Sequence, residues 1–216
     1  MTVTIRYGSP EHPDSSITPY RSLIRHTAPV VEPVSLAEAK AQCRVDGTDE
    51  DAYIASLIST AREYVENVLD LSLITQVWEA RDDTVPLWEI ILPRPPMQTG
   101  TVTVIYRDEG GVMRTITTAG NAFQVDAFAT PGRIYPNYEG VWPAVRGDEN
   151  SVTVRWTAGY GASGGNVPQT VKSLIMLLVA HWFEMRQPVV AGYSQVLPVP
   201  QTFETLLAAS GWGGYR

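Results

Sequence analysis

Metal binding and acid–base catalysis draw on histidine, cysteine and clustered carboxylates, and this chain spaces them poorly for either purpose. His12, His26 and His181 are its only histidines. They lie too far apart in sequence for any standard ligand spacing, and a single cysteine, Cys43, cannot build a structural zinc site. His181 falls mid-helix beside Trp182, where a satisfied or partly exposed imidazole accounts for it. Cys43 falls near the end of a helix on an apolar face, the setting of a buried, inert thiol. No G-x-S-x-G elbow and no Cys–His pairing with local context supplies a nucleophile. Carboxylates gather at Asp82 and Asp83, a strand end, and at Asp49, Glu50 and Asp51, a helix start. Solvation explains the first group and the helix dipole the second, and nothing points to a glycosidase-type pair.

One stretch matches a nucleotide fingerprint literally: Gly159-Tyr160-Gly161-Ala162-Ser163-Gly164 reads G-x-G-x-x-G, follows a strand and precedes a helix. In a dinucleotide fold those glycines open the helix directly, so that the pyrophosphate meets its N-terminus. Here Gly165, Asn166, Val167 and Pro168 intervene, and a Pro-rich loop follows the helix where a second strand with an acidic end is required. The fingerprint fails its context test, and a flexible connector explains the glycines. No catalytic residue, metal or cofactor is expected.

The elements that would position any site follow from periodicity. Hydrophobic residues make up 44% of the 216 and charged residues 18%, a folding composition. The net charge of −7 and the scattered basic residues lack the footprint of a phosphate-gripping protein. One cysteine forms no internal disulfide, which suits a reducing compartment. No run reaches the roughly 18 apolar residues of a membrane span, and Met1–Pro10 lacks the pattern of a signal peptide. A soluble, cytoplasmically made protein is expected.

Residues 1–33 carry Pro10, Pro13, Pro19, Pro29 and Pro33 with little periodicity, which reads as an extended arm or as disorder. Ser35 and Glu38 form a capping box for a short helix to about Cys43. The helix breaks at Arg44–Gly47, with Gly47 suited to a left-handed turn. A second helix over 49–69 carries one stripe, from Ile54 and Leu57 through Val65 to Val68 and Leu69. From 73 to 157 seven short strands follow, with Asp108-Glu109-Gly110-Gly111 as a hairpin turn. A third helix over Val171–Arg186, opened by Pro168, is apolar on most of its circumference, so it must be buried nearly all round. A last helix over Thr202–Ala209 precedes an aromatic-tipped tail.

The expected fold class is therefore α+β: a helical bundle formed by N- and C-terminal segments with an inserted small antiparallel β unit. The corresponding divisions are 1–33, an arm; 34–72 plus 167–209, a discontinuous bundle; 73–160, the β unit; and 210–216, a flexible tail.

An ordered set of motifs adds a resemblance. Pro33-Val34-Ser35-Leu36-Ala37-Glu38-Ala39-Lys40 is followed by Arg44-Val45-Asp46, Asp49-Glu50-Asp51 and Ala61-Arg62-Glu63-Tyr64-Val65-Glu66. Then come Leu92-Pro93-Arg94-Pro95-Pro96, Thr157-Ala158-Gly159-Tyr160-Gly161, Val167-Pro168 and His181-Trp182-Phe183-Glu184. Together, over about residues 33–187, these resemble the head–tail connector proteins of long-tailed phages and phage-like gene transfer particles. The resemblance implies a non-enzymatic adaptor: a homo-oligomeric ring, commonly twelvefold, at the virion neck between the portal protein and a tail or head-closure protein. DNA would pass through its lumen without specific binding, and an acidic wall suits such a conduit.

Family members often reach the portal with their C-terminal segment, which makes Phe203, Leu206, Leu207, Trp212, Tyr215 and Arg216 the candidates here. Packing of Phe203, Leu206 and Leu207 on their own subunit is the competing reading. Trp88, Tyr138 and Trp142 are candidate contacts to neighbours or tail, with burial in the β core as their alternative. The rival functions are a β-type ligand-binding module, for instance for carbohydrate, a small hydrolase, and another ring protein of the same junction.

Overall fold

The structure is a computed structural model that describes residues 20–85, 89–100, 102–118, 122–138, 140–185 and 205. It is mixed α+β, with three α-helices and two antiparallel sheets among those residues. Two compact units divide the chain, residues 30–74 with 160–216 and residues 1–29 with 75–159.

In the first unit, α1 (Leu36–Cys43) starts at Ser35, whose hydroxyl accepts from Glu38 N at 3.2 Å while Glu38 accepts from Ser35 N at 2.8 Å. The reciprocal pair satisfies two backbone donors that the first turn leaves open. The helix ends at Arg44, and this residue, not Gly47, takes the left-handed conformation at φ 57°. The stop falls one residue past Cys43, where the Arg44 and Val45 amides turn back onto Ala41 and Lys40 carbonyls. Position in the cap overrides the usual preference for glycine. α2 (Asp51–Leu69) closes the same way on Asp70, at φ 54°.

α2 and α3 (Gln169–Glu184) share one core. Ile54, Leu57, Ile58, Ala61 and Val65 of α2 are buried with Val171, Leu174, Ile175, Leu178 and Val179 of α3. Ring contacts tie the last turn of α3 to one face of α2, with Phe183 6.1 Å from Tyr53 and Trp182 edge-on to Tyr64 at 6.0 Å. No residue of α3 from Val171 to Phe183 is fully exposed, as its nearly continuous apolar circumference requires. Two ion pairs tie α1 into the unit, Lys172–Glu38 at 2.7 Å and Lys40–Asp51 at 2.5 Å.

A charged network crosses this apolar interior. Arg62 and Glu66 on α2 are 5% and 0% exposed. Arg62 donates to Glu66 at 3.0 Å and to Glu32 at 2.8 Å, and Glu66 also accepts from the backbone N–H of Leu73 at 3.0 Å. A buried carboxylate is tolerable only when its oxygens are satisfied, and here both are.

The connector at 159–168 shows why its glycines are glycines. A Cβ on Gly164 would lie 2.4 Å from the Pro33 carbonyl oxygen, and one on Gly161 would lie 2.5 Å from Asn166. A short 3-10 turn at Gly164–Asn166 is held by Ser163 and Asn166, whose amide oxygen accepts from the Ser163 hydroxyl at 2.8 Å. Close packing at Gly161 and Gly164 and a φ of 124° at Gly159, not a phosphate cradle, account for the pattern.

In the second unit, the strands are β1 (Ser22–Thr27), β2 (Gln76–Asp82), β3 (Ile90–Leu92), β4 (Thr103–Arg107), β5 (Met113–Thr117), β6 (Phe123–Asp126), β7 (Gly132–Pro136) and β8 (Val152–Ala158). They form two sheets, β1-β2-β8-β4-β5 and β3-β7-β6. Trp78, Val104, Val154 and Trp156 from one and Leu92, Phe123 and Ile134 from the other bury against each other in one core. The hairpin at 108–111 forms as expected, closed by Gly111 N on Asp108 O at 2.8 Å with Gly111 at φ 84°.

The structure departs from the arm reading at residues 22–27, which are an edge strand pairing Leu23 with Ala80 and Arg25 with Trp78. None of its residues is fully buried, so the segment lacks clean alternation, and Arg25 covers the Trp78 ring at 5.4 Å. Residues 1–19, and all of the expected helix Thr202–Ala209 except Thr205, lie outside the described residues.

Substituting Arg62 with Ala strands Glu66 in the interior. Urea denaturation should show a loss of about 3–5 kcal/mol, whereas Ser35→Ala should cost only about 1 kcal/mol.

Candidate interaction surfaces

Among the described residues no group of three or more His, Cys, Asp or Glu side chains is placed to hold a metal ion, and no helix is long and apolar enough to cross a membrane. Cys43 is a free, half-buried thiol whose pKa is raised by burial and, secondarily, by Glu184. Such a thiol is a poor nucleophile.

The titratable clusters serve the scaffold. Glu79, 1% exposed on β2, accepts from Arg155 at 2.6 Å and from Arg81 at 2.7 Å. Burial pushes its pKa up, but the two guanidinium groups outweigh burial and leave it lowered. Glu38 behaves similarly: its hydrogen bonds from Lys172 and Ser35 bring it down to about 2. Both carboxylates are therefore braces of the fold.

The candidate contact residues fall into three groups. Tyr138 is 88% exposed, presented by a tight turn in which Gly140 N donates to Asn137 O at 2.7 Å. A Cβ on Gly140 would lie 2.9 Å from that same carbonyl, so only glycine fits there. Trp142 sits half-buried, its ring 5.8 Å from Phe123 and its indole N–H buried without a hydrogen-bond partner among the described residues. It belongs to the β core more than to the surface. Trp88, Phe203, Leu206, Leu207, Trp212, Tyr215 and Arg216 lie outside the described residues.

Three further apolar side chains lie almost fully exposed outside those candidates: Phe128 at 96%, Val30 at 93% and Val141 at 87%. Their neighbours gave one usable signal. Asp126-Ala127-Phe128-Ala129-Thr130-Pro131-Gly132 is a turn sequence, and an aromatic inside a turn has no strand face to hide on.

The comparisons with known proteins agree with this picture of a scaffold with contact surfaces. The family model of phage gp6-like head-tail connector proteins matches residues 33–90. No curated protein sequence matches the chain. A chain in the neck of an empty GTA particle, computed with C6 symmetry, superposes with a TM-score of 0.72 at 21% identity, covering 90% of this chain and 96% of that one. A chain in the virion of a native gene transfer agent particle gives 0.67 at 22%, with the same coverage. One in the native neck, computed with C12 symmetry, gives 0.59 at 21%, covering 83% and 93%.

Because Glu79 has a lowered pKa, its contribution to stability is complete above the unfolded value of about 4.3 and is lost as pH falls through the folded one. Glu79→Gln should lower Tm at neutral pH and flatten its decline between about pH 5 and pH 3. In the same thermal melts Tyr138→Ala should match the parent chain and Trp142→Ala should be destabilised. The matched segment, the motifs that run on past it and the shared fold agree: this chain is similar to phage-like head–tail connector proteins.

Proposed function

We propose that the chain is a structural subunit of a head–tail junction, one copy in an adaptor ring between the portal and the tail of a tailed phage or phage-like transfer particle. The observation that carries this reading is the shared fold: 96% of a GTA neck chain is covered, so the likeness extends over nearly all of that chain. The family match at 33–90, over the capping box, the acidic start of α2 and the Arg62–Glu66 pair, supports the same reading from sequence.

In this proposal three helices form a bundle interrupted by the β unit, and copies close into a ring, twelvefold by the usual habit of such junctions. DNA slides through the lumen, and the net charge of −7 disfavours phosphate adhesion. The C-terminal residues Phe203, Leu206, Leu207, Trp212, Tyr215 and Arg216 would reach the portal, and Tyr138 would face a neighbour or the tail. The ring would be made in the host cytoplasm and would reside at the particle neck. No step in this role calls for a catalytic group.

Imaging particles made with and without the gene tests the proposal. Deletion should leave filled or partly filled heads and unattached tails. Normally joined particles lacking the protein would end the adaptor reading.

A further inference from the structure

β5 is an edge of the five-stranded sheet, and its ladder shows which of its backbone groups face outward. At one end of the β4–β5 pairing Asp108 N donates to Val112 O at 2.9 Å, and at the other Thr118 N donates to Val102 O at 3.2 Å. Bonded and non-bonded pairs alternate along an antiparallel ladder. The pairs Arg107–Met113, Ile105–Thr115 and Thr103–Thr117 are therefore the non-bonded ones. Arg107 N accordingly points away from β5, to Ser151 O at 2.9 Å. Met113, Thr115 and Thr117 turn their N–H and C=O groups outward, where they meet no partner among the described residues.

Proteins commonly blunt such an edge with proline, lysine or a bulge. β5 has none of these: its pairs with β4 keep one register, and its single charge, Arg114, is bound to Asp108 at 2.9 Å. Val112 and Met113 are 52% and 54% exposed. β1, at the opposite edge, is blunted by a shift of register between Arg25 and Thr27. The strand that needs a cover is β5.

We infer that residues 2–7 of the same chain supply this cover, as a sixth strand antiparallel to β5. Thr2-Val3-Thr4-Ile5-Arg6-Tyr7 alternates polar and apolar residues without glycine or proline, unlike residues 8–19 that follow. With Thr4 opposite Thr115, Thr2 and Thr4 lie beside Thr117 and Thr115, a favourable cross-strand pairing. Val3 then falls on the face where Ile116 packs on the core.

The connection is long enough. Every pairing in the sheet is antiparallel, so Ser22 of β1 and Met113 of β5 lie at the same rim. An antiparallel sixth strand brings Tyr7 to that rim too, about 24 Å from β1 at about 4.8 Å per strand. Residues 8–21, with Pro10, Pro13 and Pro19, span about 40 Å when extended. A tether of that reach gives an effective concentration of order millimolar, which favours the chain's own segment over that of a second copy. The sixth strand buries the edge on which two copies would otherwise pair, whether or not the chain serves at a neck.

Hydrogen exchange on the full-length chain tests the inference. The Met113, Thr115 and Thr117 amides should be protected although they face away from β4, and deleting residues 2–7 should speed their exchange by roughly tenfold or more. In a Cys43→Ser chain, Thr4→Cys with Thr115→Cys should close an internal disulfide on oxidation, since a bonded antiparallel pair lies within disulfide reach. Thr4→Cys with Ile24→Cys should not. Outward amides whose exchange is unchanged by the deletion would overturn the inference, as would the absence of any cross-link. So would a disulfide with Ile24→Cys, which puts the segment on β1, or dimers linked between two chains, which make the occupant a second copy.

Discussion

A buried carboxylate holds the helical unit together. Glu66 sits in the last turn of α2 with no exposure, and its two oxygens are matched to Arg62 and to the backbone of Leu73. Arg62 then reaches Glu32, which precedes α1. One side-chain network thus fixes α2 against the segment that leads into the helices and the segment that leaves them. Replacing such a network with apolar groups is often harmless, while removing one member is not. The arrangement specifies register: sliding α2 by one residue would leave a buried charge unmatched, whereas a purely apolar stripe would tolerate the slip at a smaller cost.

That specificity matters because α2 and α3 meet only after the whole β region has been made. Their stripes are complementary, but the contact is distant in sequence, and loop closure opposes it. Two features make the closure worthwhile. α3 has little polar surface on which to remain in water, and its C-terminal rings pack against α2 at Tyr53 and Tyr64. The β region meanwhile closes its own core between two sheets, so it needs no helix to complete it. Each unit is thus a separate solution to burying apolar surface.

Charged side chains in both units act as braces. Glu79, Glu38 and Asp126 all have lowered pKa values, and each is bound to an arginine, a lysine or backbone amides of its own unit. Perturbed carboxylates often mark active sites, but that inference needs a cleft and an unsatisfied role. Here every shift is explained by a structural partner. Three large apolar side chains on loops of the β unit stay almost fully exposed: Phe128, Tyr138 and Val141. Surfaces of that kind suit a protein whose work is contact.

Sequence alone determined the elements whose physics is local. The Ser35–Glu38 cap, the α2 stripe, the all-round apolar α3 and the 108–111 hairpin each rest on neighbours within a few residues, and each was legible. The resemblance to connector proteins was legible for a similar reason, since its motifs mark caps, turns and helix starts. Tertiary structure decided the rest. Residues 22–27 are a strand only because β2 lends them a partner, and Arg44 takes the left-handed cap because the helix stops there, whatever Gly47 could have offered. The split into two sheets, the inward turn of Trp142 and the outward display of Phe128 depend on long-range pairing. A side chain's exposure is set by what folds over it, and no local pattern records that.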